Sequence, residues 1–406
     1  MAVRFAKEKE LHDPLQALLG LTEEERTERG LCHTPREICQ QPETWLGTYR
    51  LFQERKAQLR SFLKASGVGY GPSAPVVFLI GAGTSDYIGR ALENILRQRW
   101  GCEVWAVPST DLLTNLEDYL IPGRQYFWIS FSRSGESSEG VAVLRRALRD
   151  YRQIRHLVIT CSASGTMAEL CSRRPDQALA FVLDEAVNDR GLAMTSSFSN
   201  MVVAGHCLAH LSNLAEYGGV LEPMVEAGGR FLCQAAEKVS WLAELRCPKA
   251  CFVGSGTLAA VANESALKLL ELTAGKIHTM SESVLGLRHG PMSALDANTL
   301  FVLFMSSHDP RQKYELDLLK EIRDKQLGRV IVAVTARQSD AVESLSDHVL
   351  SLELPPGFAD EYRPPVDIIL GQLLGLFCCL NEGLQPDRPS PHNAISRVVS
   401  HVNIYS

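Results

Sequence analysis

A cluster of hydroxyl and basic side chains in the first half of the chain has the chemistry to bind an anion. Ser132-Arg-Ser-Gly-Glu-Ser137 follows an apolar run and precedes a helix-forming run. Hydroxyls, an arginine and a glycine that admits the backbone close to a ligand suit a phosphate group at a helix N-terminus. A serine-rich turn that caps a helix has the same composition, so residues 132–137 alone leave both interpretations open.

A glycine turn ends another apolar run of the first half. Gly81-Ala-Gly-Thr-Ser85 places a hydroxyl, that of Ser85, at the start of the next helix-forming stretch. Because tight strand-to-helix turns often need glycine, the Gly-Ala-Gly motif is weak evidence on its own. The carboxyl ends of parallel strands meet at one edge of a sheet, so we expect Ser85 near residues 132–137.

Glu264, Lys268 and Glu271 have the spacing of one helix face, since they lie at positions i, i+4 and i+7. Two carboxylates with an ammonium group between them can tune one carboxylate for proton transfer. A solvated face of salt bridges has the same spacing. The position of these residues on the helix that follows a second glycine turn favours the catalytic interpretation.

His289 lies in Leu287-Arg-His-Gly-Pro-Met292, where glycine and proline prevent a helix or strand from continuing. A lone histidine in a loop is usually solvated, and the chain has 11 histidines. The residue type and its loop therefore assign no role to His289 by themselves.

An internal duplication organises the chain. Gly81 and Gly83 correspond to Gly254 and Gly256 at an offset of 173 residues, and the same offset relates the apolar runs 126–132 and 299–305. We interpret these segments as a first and a second copy of one unit. Each copy alternates strand-like and helical stretches, which predicts an α/β fold with parallel strands and helices on both faces.

The second copy differs from the first at the position of the serine cluster. It has Met305-Ser-Ser-His-Asp-Pro310 there, which lacks the glycine and adds an acid. We therefore expect one phosphate site, contributed by the first copy.

The composition excludes several classes of protein. A net charge of -6 argues against a general nucleic-acid binder. Residues 1–10 have no apolar signal segment, and the apolar run 368–380 is too short to span a bilayer. The 11 cysteines are scattered, which is typical of reduced thiols. We expect a cytoplasmic protein with neither a membrane nor a nucleic acid as partner.

Together these segments resemble the SIS-domain (sugar isomerase) family of sugar-phosphate enzymes, over about residues 30 to 400. The pattern is most similar to the galactosamine-6-phosphate deaminase/isomerase branch, which includes proteins labelled tagatose-6-phosphate ketose/aldose isomerase. It is also similar to the isomerase half of glucosamine-6-phosphate synthase. The matching segments are Glu37-Ile-Cys-Gln-Gln-Pro42, Gly81-Ala-Gly-Thr-Ser85, Ser132-Arg-Ser-Gly-Glu-Ser137, Glu264-Ser-Ala-Leu-Lys-Leu-Leu-Glu271 and Leu287-Arg-His-Gly-Pro-Met292.

The resemblance implies two tandem SIS domains, each a mostly parallel, flavodoxin-like sheet flanked by helices. We expect a helical N-terminal arm at 1–50 and a first SIS domain with the phosphate cradle at 51–224. A second SIS domain with the catalytic carboxylate is expected at 225–385, and a C-terminal tail over the active site at 386–406.

The resemblance also implies how the substrate phosphate is held. Ser85, Ser132, Ser134 and Ser137 match the family's phosphate ligands. Arg133 lies where the synthase has a glutamine, so a formal positive charge is expected in the cradle.

The same resemblance assigns the catalytic roles. Glu271 matches the carboxylate that moves a proton between C1 and C2, and Glu264 and Lys268 match its supporting pair. His289 matches the histidine that helps to open the sugar ring from the neighbouring subunit. This implies a homodimer or a higher homo-oligomer with shared active sites.

Two departures from the synthase matter for function. Its C-terminal lysine has no clean match, and His392 or Arg397 stands in that region instead. Its glutaminase half, which supplies ammonia, has no counterpart, which favours the deaminating direction.

We therefore expect the conversion of a hexosamine 6-phosphate to a ketose 6-phosphate and ammonia. The resemblance implies galactosamine 6-phosphate as substrate and tagatose 6-phosphate as product, whereas the residues themselves leave the galacto and gluco configurations open. No metal or other cofactor is expected, because the amine itself activates C2. The alternatives are isomerisation of an unaminated hexose phosphate and a regulator that senses a sugar phosphate.

Overall fold

The computed structural model describes residues 13–69, 74–399 and 402–405. Part of the expected arm, of the first domain and of the tail therefore lies outside the described residues. The described chain opens with a series of short helices, of which the second carries a capping box between Thr22 and Glu25. These helices are α1 (Pro14–Leu19), α2 (Glu23–Arg29), α3 (Thr34–Cys39), α4 (Gln41–Glu54) and α5 (Lys56–Ala65).

The first copy forms a five-stranded parallel sheet with the order β2-β1-β3-β4-β5. Its central strands are buried along their whole length, which is why their sequences are continuously apolar rather than alternating. The strands are β1 (Val76–Gly81), β2 (Val104–Pro108), β3 (Tyr126–Ser132), β4 (Arg155–Thr160) and β5 (Ala178–Val182). The helices between them are α6 (Thr84–Trp100), α7 (Ser109–Tyr119), α8 (Ser138–Asp150) and α9 (Thr166–Ser172).

The helices that join the two sheets are α10 (Ser196–Ala209) and α11 (Leu214–Glu244). The second sheet contains β6 (Lys249–Gly254), β7 (His278–Ser283), β8 (Thr299–Phe304), β9 (Val330–Thr335) and β10 (His348–Ser351). Its helices are α12 (Thr257–Leu272), α13 (Asp309–Asp324), α14 (Asp340–Glu343) and the final α15 (Pro364–Asn381).

The second sheet repeats the topology of the first. Its strand order is β10-β9-β8-β6-β7, and all its pairings are parallel. Read from the other end, this is the same flavodoxin-like order as in the first sheet. The predicted α/β fold and the duplication are therefore confirmed.

The two copies share one hydrophobic core. A single buried cluster contains Val77 of the first sheet, Phe252 of the second and Leu373 of α15. Helix α11 has 31 residues and runs through the expected domain boundary between 224 and 225. The division of the chain into domains stays a prediction.

Helix α15 contains the apolar run that was judged too short for a membrane. The whole helix has 18 residues and is long and apolar enough to cross a membrane, but 89% of it is buried within the protein. It packs against α11 and α12. Its apolar character is explained by this position in the core.

The predicted glycine turns place the starts of two helices directly at strand ends. Gly83 and Gly256 have φ values of 56° and 57°, a region that favours glycine. A Cβ at Gly81 would lie 2.2 Å from the carbonyl carbon of Ser85. Any side chain there would push α6 away from β1, so the glycine fixes where Thr84 and Ser85 stand.

Candidate active site

The serines named from the sequence meet around one cavity. A space of about 150 Å³ at the carboxyl ends of β1 and β3 is lined by Ser85, Ser132, Ser134 and Ser137. We call it the serine cavity. Ser109 and Ser130 also line it and were missed by the sequence analysis. Ser109 could have been found, because it directly follows β2 at the same edge of the sheet.

Two of these hydroxyls shape the loop between β3 and α8. Ser132 Oγ accepts a hydrogen bond from the Gly135 N–H (3.0 Å), and Ser134 Oγ accepts one from the Glu136 N–H (3.1 Å). The hydrogen bonds of the described residues leave the N–H groups of Ser134 and Ser137 without an acceptor. Free main-chain donors at a helix N-terminus favour an anion.

Ser137 is the serine whose hydroxyl is least committed to the fold. It is the N-cap residue of α8, yet its side chain makes no capping hydrogen bond. A Cβ at Gly140 would approach Ser137 Oγ to 2.7 Å. The glycine on the first turn of α8 therefore leaves room for this hydroxyl beside the serine cavity.

Arg133 has different partners from those expected. Its side chain borders the cavity and is buried, but its hydrogen bonds go to main-chain carbonyl groups. Nη1 donates to the oxygens of Gly191 (3.3 Å) and Leu192 (3.1 Å), and Nη2 donates to the oxygen of Arg397. Burial and the charge of Arg397 lower the pKa of Arg133. The structure thus shows Arg133 fastening two segments to the cradle loop, and its contact with phosphate stays a prediction.

The C-terminal tail lies against the serine cavity. Arg397 lines the cavity, and its Nε and Nη2 donate to Asp189 O and Asn188 Oδ1, both at 2.8 Å. The N–H of Ser138, the first residue of α8, donates to Val399 O at 3.0 Å. His392 is exposed and is not among the residues that line the cavity, so of the two tail candidates Arg397 is the one at the site.

The loop that receives both arginines is held by the N-terminal arm. Glu37 accepts hydrogen bonds from the N–H groups of Arg190 (2.5 Å) and Gly191 (3.3 Å). Burial, reinforced by the charge of Asp189, raises the pKa of Glu37 to about 8. The sequence analysis quoted Glu37 within a matching segment but gave it no role. Its position shows that the arm supports the rim of the site.

A larger cleft of about 700 Å³ adjoins the serine cavity and is lined by Glu271. The two spaces share Ala82, Met194 and Arg397 as lining residues. The structure therefore brings Glu271 of the second copy next to the serines of the first copy. This is the arrangement expected if the first copy contributes the phosphate cradle and the second copy the carboxylate.

Glu264, Lys268 and Glu271 form a buried ion cluster. Lys268 Nζ lies 2.6 Å from Glu271 Oε2 and 3.2 Å from Glu264 Oε1. It also donates to Thr84 Oγ1 (3.0 Å), and Thr84 donates to Glu264 Oε1 (3.1 Å). Thr84 is the first residue of α6, so the cluster joins the two copies.

Burial distinguishes the members of this cluster. The side chains of Glu264 and Lys268 are 0% exposed, whereas that of Glu271 is 23% exposed. The alternative of a solvated salt-bridge face is therefore wrong. Of the three residues, only Glu271 lines the cleft. Lys268 contacts Glu271 from its buried side, and Glu264 contacts Lys268 in turn.

The electrostatics of the cluster follow from burial. Burial raises the pKa of Glu264 to about 8. Burial lowers the pKa of Lys268, but the two carboxylates outweigh it and the pKa rises. The lysine is therefore charged at neutral pH, and its ammonium group contacts both carboxyl groups.

The described chain does not bring His289 to Glu271. The histidine is exposed, between the 3₁₀ turns Gly286–Arg288 and Pro291–Ala294. It lines neither the serine cavity nor the cleft. A role for it in catalysis requires a second copy of the chain.

Comparisons with known proteins agree with this fold. Residues 245–374 match the SIS domain, so the chain is an SIS-domain protein. D-galactosamine-6-phosphate deaminase AgaS of Escherichia coli is 35% identical over 382 residues, which cover 92% of this chain and 95% of that protein. The AgaS protein of Shewanella sp. is 30% identical over 390 residues, covering 95% of each. The chain therefore belongs to the AgaS family.

Solved structures give the same result. Tagatose-6-phosphate ketose/aldose isomerase from Escherichia coli has a TM-score of 0.79 and 32% identity, covering 92% of this chain and 96% of that one. A Clostridium novyi protein has a TM-score of 0.90 and 32% identity, covering 96% and 98% of the two chains. The expected relation to the synthase is also found. Glutamine–fructose-6-phosphate aminotransferase of Mycolicibacterium smegmatis is 25% identical, and the match covers 77% of this chain and 49% of that protein.

The raised pKa of Glu264 predicts a pH-dependent effect of replacing it. Between its ordinary pKa of 4.5 and about 8, the folded chain keeps a proton that the unfolded chain releases, so this residue makes stability fall as pH rises. Glutamine cannot ionise. We expect Glu264→Gln to gain stability relative to wild type as pH is raised through this window.

Urea unfolding midpoints at both ends of the window measure this effect. The exposed Glu24→Gln variant is the control and should follow the wild-type trend. A difference between Glu264→Gln and wild type that does not change with pH would contradict the raised pKa of Glu264.

Proposed function

We propose that this chain is an enzyme that converts galactosamine 6-phosphate to tagatose 6-phosphate and ammonia. The observation that carries the proposal is the position of Glu271, a carboxylate anchored by a buried lysine in a cleft that adjoins the serine cavity. The deaminase name of the AgaS relatives supports the same reaction.

The serine cavity is proposed to bind the phosphate group. The N–H groups of Ser134 and Ser137, their hydroxyls and the N-terminus of α8 supply donors, and the charge of Arg397 lies at the rim. Hydrogen bonds to a charged group are stronger than those between neutral groups. With the phosphate held there, the sugar extends into the cleft toward Glu271.

Glu271 is proposed to be the acid–base catalyst. In the open-chain amino sugar it removes the proton from C2 while the C1 carbonyl oxygen takes up a proton from water, which gives an enolamine between C1 and C2. It then returns the proton to C1, which gives a ketimine at C2. Water adds to the ketimine and ammonia leaves, so the products are a ketose 6-phosphate and ammonia. Lys268 keeps the Glu271 carboxylate in place through a contact of 2.6 Å.

A second candidate is aldose–ketose isomerisation of an unaminated hexose phosphate. The same base moves the same proton, and the name of the Escherichia coli isomerase structure favours this reaction. Measurement of both ammonia and ketose on a panel of hexosamine and hexose 6-phosphates separates the two candidates.

We further propose that the active form is a homodimer or a higher homo-oligomer. This rests on the exposure of His289 and its separation from the cleft within one chain. A cytoplasmic location is proposed because all 11 cysteines are free, which is typical of a reducing compartment.

Ser137→Ala tests phosphate binding without disturbing the loop, since this hydroxyl makes no capping bond. A hydrogen bond to a charged group contributes about 1.5–3 kcal/mol. We expect the KM for the phosphorylated sugar to rise about tenfold to a hundredfold, with an unchanged unfolding temperature. Ser172→Ala, at an exposed serine of α9, is the control. An unchanged KM for Ser137→Ala would remove Ser137 from the phosphate site.

Glu271→Gln tests the base. The amide keeps the shape of the side chain but cannot take a proton. A positioned acid–base group contributes about 10²–10⁴-fold to rate, so kcat should fall by that factor while KM stays within a few-fold. Glu244→Gln, at an exposed carboxylate of α11, should retain activity. Near-normal turnover of every amino-sugar phosphate by Glu271→Gln would refute the mechanism.

Mixing two inactive variants tests the shared site. Glu271→Gln and His289→Ala chains, allowed to exchange subunits, should regenerate some sites with both native residues and recover activity. Each variant mixed with itself is the control. If exchange is confirmed by mass and no activity returns, His289 does not serve a neighbouring subunit.

A further inference from the structure

The second copy has its own loop at the position that corresponds to the serine cluster. Ser306 and Ser307 follow β8 just as Arg133 and Ser134 follow β3, at the offset of the duplication. In this loop a carboxylate of the chain itself is bound. Asp360 Oδ1 accepts a hydrogen bond from the Ser307 N–H at 2.7 Å, and Asp360 Oδ2 accepts one from the Ser306 hydroxyl.

Two guanidinium groups complete the surroundings of this carboxylate. Arg311 Nη1 lies 3.3 Å from Asp360 Oδ2, and Arg363 Nη1 lies 3.2 Å from Asp360 Oδ1. Arg363 is itself fully buried and is fixed by Asp367 through two hydrogen bonds of 3.0 and 2.9 Å. A main-chain N–H, a hydroxyl and two guanidinium groups are donors of the kind that bind phosphate or carboxylate ions.

In the loop of the second copy, the main-chain N–H groups of residues 306 to 308 are all hydrogen-bonded within the chain. The N–H of Ser306 donates to Glu315 Oε2 (2.9 Å), and the N–H of His308 donates to Ser306 Oγ (3.1 Å). With the bond from Ser307 to Asp360, each N–H from 306 to 308 has an acceptor within the chain. The loop of the first copy differs, because the N–H groups of Ser134 and Ser137 have none among the described residues.

We infer that the second copy retains an anion-binding site at its strand ends and that the carboxylate of Asp360 is its built-in occupant. Asp360 is only 3% exposed, so an external anion cannot enter while it is in place. The occupant also ties the 3₁₀ turn Asp360–Tyr362, which directly precedes α15, to the end of β8. The anion site of the second copy thereby serves to attach α15, a helix of the core, to the second sheet.

Removing the occupant should expose the site. Asp360→Ala deletes a group the size of formate and leaves both guanidinium groups and the Ser307 N–H facing the space. We expect a lower unfolding temperature in chloride. Formate and inorganic phosphate should then raise it by several degrees more than they raise that of wild type, because a ligand stabilises the state it binds.

Two control variants sharpen the result. Asp360→Asn fills the space with an amide and should respond to anions as wild type does. Asp296→Ala removes a carboxylate that bonds Lys249 at an exposed position and should show no extra response. None of these variants changes a residue of the serine cavity, so any phosphate that binds there affects all the proteins equally. The comparison is therefore independent of the proposed function.

The outcomes divide cleanly. An anion response of Asp360→Ala that equals those of wild type and Asp296→Ala overturns the inference. If Asp360→Ala does not fold in chloride, its recovery as folded protein in formate or phosphate supports the inference. Failure to fold in both of those anions overturns it as well.

Discussion

A buried ammonium group bridges helices from the two copies of the fold. Lys268 is fully enclosed, and its charge is tolerated only because Glu264, Glu271 and Thr84 all contact it. A buried charge without such partners is strongly destabilising. Thr84 belongs to α6 and the other residues to α12, so satisfying the lysine requires these helices to pack together. The contact that solves this electrostatic problem also sets a carboxylate beside the serine cavity.

Duplication gave the chain two equivalent strand-end sites, and they have diverged in a physically simple way. In the first copy, hydroxyls and glycines leave donors open around an empty space. In the second copy, longer charged side chains fill the corresponding place, and Asp360 satisfies its donors. The backbone frame is common to both, so the difference is a matter of a few side chains.

The fold was predictable from the sequence, because glycine turns and buried strands repeat at a fixed offset. The meeting of Ser85 and Ser137 at one cavity was also predictable, since strand ends of a parallel sheet meet at one edge. The partners of Arg133 were not predictable, because they are carbonyl groups of residues 191, 192 and 397. The spacing of Glu264, Lys268 and Glu271 placed them on one face. Only their burial, which depends on packing between α6 and α12, excluded a solvated face.

Helix α11 and the common core connect the serine cavity of the first copy to Glu271 of the second copy. Helix α11 has 31 residues, about 45 Å, and crosses the boundary between the copies with Pro223 inside it. Because an internal proline weakens a helix at that point, the shared hydrophobic core is what keeps the two halves in one arrangement. Under the proposed function, the separation between the phosphate and Glu271 is then fixed by the scaffold. A triose or tetrose phosphate held by the same serines would place its C1 and C2 short of the base. The fixed distance between the serine cavity and Glu271 would then select sugars by chain length, without a separate contact that recognises that length.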